Sequence, residues 1–143
     1  MTYAVSQDLV DRFGSTELEQ LTDRTNVPPS TIDAVVVGRA LADADGMIDG
    51  YIGKQYSLPL SVVPPILVKI AADLARYFLH GEAADKESIV TRNYNNAIAW
   101  LINVSKGLVA IDDGGQVPEQ AGGGAIKTSA PNRVFTRDSL RSM

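Results

Sequence analysis

Residues 64–81 read PPILVKIAADLARYFLHG, and this run decides the fold. Two prolines open it, where a missing N–H and a fixed φ suit the first helical turn, and His80-Gly81 closes it. Between them Lys69, Asp73, Arg76 and His80 recur at spacings of 4, 3 and 4 and form one narrow polar stripe. Ile66, Leu67, Ile70, Leu74, Phe78 and Leu79 cover nearly all the rest, which is the pattern of a buried central helix. Lys69, Asp73 and Arg76 also interrupt the run well short of the ~20 apolar residues of a bilayer span, so no membrane contact is expected.

Proline placement organises the flanks. The seven prolines stand at 28, 29, 59, 64, 65, 118 and 131, leaving 30–58 and 66–117 for the long helices. Downstream, Val90, Tyr94, Ala97, Leu101, Val104 and Leu108 predict a helix from about Lys86 to Lys106, with Gly107 as its C′ residue. Ile89 and Trp100 flank that stripe on one side, Ile98 and Ile102 on the other. The resulting arc exceeds half the circumference, more than one packing partner covers, and makes Trp100 and Ile102 candidates for an interface between subunits as well as for the core.

Upstream, Ser30 with Asp33 predicts the start of a helix carrying Ile32, Val36, Ala40, Leu41, Ala44, Ile48, Tyr51 and Ile52 and ending near Tyr56. Gly38, Gly46, Gly50 and Gly53 lie inside it, each costing up to ~1 kcal/mol relative to alanine. Ala42, Gly46, Gly50 and Gly53 share one face, which implies either close approach of another helix or a break near Gly46. Gly46, Gly50, Gly53 and Tyr51 are therefore candidate subunit contacts. The first segment predicts two short helices, Ser6 before Gln7 to Phe13 with Gly14 as stop, then Thr16 with Glu19 as a capping box.

Composition narrows the chemistry. The 143 residues include no Cys and one His, which excludes a disulfide framework, a thiolate nucleophile and a zinc site built from Cys or His. A net charge of −4 and a pI near 4.9 argue against nucleic-acid binding through phosphate neutralisation. The opening MTYAVSQDLVDRF has neither a basic n-region nor an apolar h-region, so no signal peptide is expected. Six of the twelve glycines fall between 107 and 124. The chain therefore divides into a helical body at 1–111, a Gly-rich linker at 112–124 and a basic arm at 125–143. In the arm Lys127, Arg133, Arg137 and Arg141 stand against Asp138, giving +3 and leaving −7 for 1–124. Arg133-Val134-Phe135-Thr136-Arg137 alternates as an added strand would, and Ser139-Leu140 suits a short turn. The fold expected is all-α, a small bundle of about four to five helices with an extended C-terminal arm.

Several apparent sites fail on their chemistry. Asp43, Asp45, Gly46, Asp49 and Gly50 superficially suggest a calcium loop, but the oxygen spacing is wrong and the run reads as a solvated acidic helix face. Asn103-Val104-Ser105 is a glycosylation sequon only by letter. His80 has no nucleophile signature nearby, and Gly122-Gly123-Gly124 lacks the Lys and Ser/Thr of a phosphate loop. No catalytic residue, metal or cofactor is expected.

Four blocks, SQDLVDRFGSTELEQLTDR (6–24), GRALADADGMIDGYIGKQYSLPL (38–60), PPILVKIAADLARYFLHG (64–81) and RVFTRDSLR (133–141), resemble the neck proteins of Mu-like phages and prophages. The resemblance covers most of the chain. It implies a non-enzymatic head-completion protein, a head–tail connector or adaptor whose subunits form a ring, usually of twelve, beneath the portal. On that reading the protein assembles in the bacterial cytoplasm and ends in the virion neck, with a portal protein on one side and a tail-side neck or terminator protein on the other. DNA would pass through the channel without sequence-specific binding. Arg133, Val134, Phe135, Arg137, Leu140 and Arg141 are then the residues expected to dock on the portal or a neighbouring subunit, and Asp43, Asp45 and Asp49 the acids expected to line the channel. The alternatives are another structural role in the particle, such as tail completion or a minor capsid component, and a small helical DNA-binding regulator, against which the acidic body argues.

Overall fold

A computed structural model describes residues 1–112 and 114. Its elements are α1 (Ser6–Phe13), α2 (Ser15–Thr22), α3 (Ala34–Ile52), α4 (Pro65–His80) and α5 (Ile89–Ser105), with a 3-10 turn at Gly81–Ala83. There is no strand among the described residues. The all-α bundle expected from periodicity is what forms.

Helix α4 is the centre. It packs on α3 and α5 along its length, and α1 and α2 close over its remaining face. Leu67, Ala71, Ala72, Leu74 and Ala75 are fully enclosed along it. Leu9 from α1, Leu18 from α2, Val37, Ala44, Ile48 and Ile52 from α3, and Leu101 and Val104 from α5 complete the core around them. The alanines on α4 let α3 and α5 approach closely, and the leucines interdigitate between. On the α4/α5 seam Tyr77 and Tyr94 stack with centroids 4.0 Å apart, and Phe78 meets Tyr94 edge-on at 6.1 Å.

The helix ends differ in detail from expectation. Val5, not Ser6, is the N-cap of α1; the Asp8 carboxylate accepts its N–H at 2.8 Å. Helix α2 starts at Ser15, so Thr16 lies inside its first turn and not at a capping box. Asp33, not Ser30, caps α3 by accepting from the Val35 and Val36 N–H groups, which leaves Ile32 outside the helix. The helix ends at Ile52, short of Tyr56, because Gly53 forms its C-cap. Ser88 caps α5, two residues after the expected start at Lys86. The expected stop is met: Gly107 sits at φ +72°, its N–H donates to Val104 O, and Leu108 N–H donates to Asn103 O. That pair of bonds is a Schellman C-cap.

One polar junction ties α2 to α4. The Arg76 guanidinium donates to both Glu17 oxygens, at 2.7 and 2.8 Å, and lies 4.4 Å over the Phe13 ring of α1. His80 Nε2 stands 3.2 Å from Glu17 Oε1. Partial burial pushes the Glu17 carboxyl up, but the bonds to Arg76 and His80 outweigh it, and its pKa falls below the usual range. Arg76→Ala removes a two-pronged charge-assisted contact and a cation–π contact together. It is expected to destabilise the fold by about 2–3 kcal/mol, read as a lower urea midpoint at unchanged slope.

Candidate assembly surfaces

A cleft of about 430 Å³ opens between α2, α3 and the C-terminal half of α4. Leu21, Val36, Ala40, Phe78 and Leu79 form its apolar wall, while Arg24, Arg39, Asp33 and Asp43 stand among its charged lining. The loop from α2 to α3 shapes one side and is organised by a single carboxylate. Asp23 Oδ1 accepts from Thr25 N–H, the Thr25 hydroxyl and Asn26 N–H; Oδ2 accepts from the Asn26 side chain, Ser30 N–H, Thr31 N–H and the Thr31 hydroxyl. Those bonds, led by the Ser30 and Asn26 donors, hold the Asp23 pKa far below the carboxylate range. Beside it the Thr22 hydroxyl donates to Leu18 O and accepts from Asp33 N–H, which sets the residue that caps α3.

The three acids singled out on α3 do not share a surface. Asp43 is exposed at the cleft, whereas Asp45 is buried and Asp49 half-buried. Tyr3 N–H donates to Asp45 Oδ1 at 3.0 Å, the Tyr3 hydroxyl donates to Asp49 Oδ1 at 2.5 Å, and the Met1 amine pairs with Asp49 Oδ2 at 2.7 Å. Desolvation raises the Asp45 carboxyl, and burial followed by the Asp49 bond raises the Tyr3 phenol. The expectation of a solvated acidic face is thus corrected. The i, i+4 pair Asp45 and Asp49 takes up the segment 1–3, and Asp43 points elsewhere because two residues turn a helix by about 200°.

Of the two readings of the glycine face, the break near Gly46 is excluded. Helix α3 runs unbroken through Gly46, and a Cβ at Gly38, Gly46 or Gly50 would meet nothing within 4 Å. Among the described residues no element comes that close to these three positions. Gly53 differs, since a Cβ there would lie 2.9 Å from Asp49 O and 3.4 Å from Leu58 Cδ1, so the turn after α3 requires glycine. Tyr51 is half-buried against the core.

On the other side of the bundle, α4 and α5 leave a groove of about 170 Å³. Ile66, Ile70, Ala97 and Trp100 give its apolar lining, and Lys69, Asp73, Asn93 and Asn96 its polar lining. Trp100 and Ile102 are both half-buried, so the broad apolar arc of α5 is only partly covered. Ile66 is 40% exposed and Ile89 65%. Asp73, only 6% exposed, pairs with Lys69 Nζ through Oδ2 at 2.6 Å.

Arg133, Val134, Phe135, Arg137, Leu140 and Arg141, with most of the linker and the whole arm, lie outside the described residues. His80 serves as a link between α2 and α4. Among the described residues no group of three or more His, Asp or Glu could hold a metal, and no helix is long and apolar enough to cross a membrane. Sequence reading missed the Asp23 loop, the grip of Tyr3 on α3 and the Glu17–Arg76 pair. Only the first had a local signal: an Asp followed by Thr and Asn two and three residues on is the composition of an Asx turn.

A model of the Bacteriophage Mu Gp36 family matches residues 3–128. Gene product J of Escherichia phage Mu is 37% identical over 107 residues, covering 75% of this chain and 74% of that protein. The Mu-like prophage FluMu protein gp36 of Haemophilus influenzae is 32% identical over 109 residues, covering 76% and 74%. With the matched span running from the segment that grips α3 to beyond the last helix, the chain belongs to the bacteriophage Mu Gp36 family.

Proposed function

We propose that this Mu-like phage protein is a structural head–tail connector subunit, forming a ring beneath the portal that completes the filled head and offers the tail its attachment site. The observation that carries this reading is the amount of unused contact surface on a small, fully formed bundle. Trp100 and Ile102 are half-covered, Val35, Ile66 and Ile89 are exposed, and Gly38, Gly46 and Gly50 on α3 are open among the described residues. Separate patches on different sides of one subunit suit head-to-tail contacts that close a ring. The chemistry is that of assembly, since the Glu17–Arg76–His80 junction, the Asp23 loop and the Asp45/Asp49 pair are spent on holding helices, loops or the segment 1–3 together.

In such a ring of twelve copies the −7 of residues 1–124 makes the collar strongly acidic. An acidic lumen lets the DNA polyanion slide without sticking. The channel-lining role falls to Asp43, because Asp45 and Asp49 are occupied by Met1 and Tyr3. The basic arm 125–143 reaches a neighbour or the portal. Purified portal rings are expected to capture the full chain, and deletion of 125–143 to weaken capture at least about tenfold, the equivalent of about 1.4 kcal/mol. Undiminished capture would remove the arm from docking; no capture of the intact chain would count against the connector role.

A further inference from the structure

We infer that the groove between α4 and α5 receives residues Arg133–Arg137 of a neighbouring copy. The inference deepens the ring reading above and rests on it for the presence of that neighbour.

The groove has the features of a seat for a short segment with an aromatic and a basic side chain. Its volume of about 170 Å³ matches one phenyl ring, given that an apolar void of about 150 Å³ holds a benzene. Ile66, Ile70 and Trp100 supply the apolar lining. Trp100 Nε1 and the carboxamides of Asn93 and Asn96 make no hydrogen bond among the described residues, so donors and acceptors for a peptide backbone are in place. The Asp73 carboxylate is more pointed. It is more than nine-tenths buried and lines the groove, yet only its Oδ2 has a partner among the described residues, Lys69, which leaves Oδ1 to accept from another donor.

The remainder of the chain carries a matching segment within reach. Ile111 N–H donates to the Tyr56 hydroxyl, and Gly114 lies against Val62, where a Cβ would stand 3.1 Å from Val62 Cγ2. Val62, which Gly114 touches, stands four residues before Ile66 at the start of α4; both are exposed, and Ile66 lines the groove with Trp100. Another 29 residues follow Gly114. The 19 from Gly114 to Arg133 span up to about 65 Å when extended, enough to cross to an adjacent subunit. In an extended segment Arg133, Phe135 and Arg137 share one side and stand about 6.7 Å apart in turn. Along α4, Ile70 and Asp73 are about 4.5 Å apart. Phe135 on Ile70 and Trp100 therefore brings a flanking arginine within side-chain reach of Asp73 Oδ1, where its planar fork suits a carboxylate. Charge agrees: the arm carries +3 and the body −7.

The natural absence of cysteine makes the test direct. Asn96→Cys places a thiol at the exposed rim, and Thr136→Cys places one beside Phe135 on the opposite side of the strand. The full-length double variant, assembled into particles and mildly oxidised, is expected to give a ladder of dimers and higher multimers on a non-reducing gel. A Lys54→Cys/Thr136→Cys control is expected to give none. A monomer with an internal crosslink, or no crosslink in assembled particles, would overturn the proposal. As an independent readout, maleimide labelling of Asn96→Cys in particles should be at least about tenfold slower than with Phe135→Ala added, since labelling tracks the open fraction; equal rates would overturn it. A ladder from particles in which the subunit lies away from the portal would keep this inference and sink the connector reading. A subunit beneath the portal without the ladder would do the reverse.

Discussion

Leu74→Ala is expected to destabilise the protein by about 3–5 kcal/mol, a large share of the roughly 5–15 kcal/mol that holds a domain of this size together. Leu74 is fully enclosed on α4, the helix against which all the others pack. The site cannot collapse to fill the void, because α3 and α5 are already held close by Ala71, Ala72 and Ala75. The measured cost should therefore sit at the upper end for a leucine truncation, where the loss of transfer energy adds to a cavity that persists. Urea unfolding followed by far-UV circular dichroism reads it as a large fall in midpoint at unchanged slope. Ile89→Ala, at a residue 65% exposed on α5, should change the same midpoint by less than about 0.5 kcal/mol. Similar losses at the two positions would contradict the placement of the core.

Asp23→Ala is expected to match a core truncation in severity, although it removes no buried apolar group. It strands four backbone N–H groups, those of Thr25, Asn26, Ser30 and Thr31, along with three side-chain donors. Losing the shared acceptor frees the whole loop between α2 and α3, and with it one side of the cleft between α2, α3 and α4. Amide exchange at those four residues should speed up by orders of magnitude more than at the α4 amides, whose protection falls only with the global stability. Asp23→Asn should recover only part of the loss, since it keeps one oxygen but gives up the charge and the second acceptor. The pH dependence follows from the lowered pKa of Asp23. A carboxyl with a depressed folded-state pKa contributes its stability fully above the unfolded value near 4 and loses it as pH falls towards the folded value. The wild type should thus lose stability steadily below about pH 4, and Asp23→Ala should lose less over the same range.

What was legible in the sequence divides along the range of the interaction. Helix α4 was readable because its prolines, its stop and its polar stripe are all local, and the C-cap at Gly107 because one glycine after a helical pattern carries the signal. Choosing between Ser30 and Asp33 as the cap of α3 needed Thr22, eleven residues before Asp33, whose hydroxyl takes the Asp33 N–H. The acids of α3 looked solvated because their partners, Met1 and Tyr3, lie more than 40 residues away in sequence. The glycines of α3 were read correctly as sharing a face, yet spacing alone carries no information on whether anything in the same subunit covers it. Among the described residues nothing lies within 4 Å of a Cβ at Gly46 or Gly50. The same limit applies to Trp100: spacing leaves it open between core and surface, and the structure places it half-buried at the α4/α5 groove.

Electron cryomicroscopy of purified particles, with the subunit located by the helices α1 to α5, tests the connector role directly. A connector subunit is expected to appear as a closed ring of this bundle directly beneath the portal, with α3 and α5 surfaces at the subunit contacts and density for residues 133–137 in the groove beside Trp100. Finding the subunit elsewhere in the particle, or absent from it, would contradict the connector role.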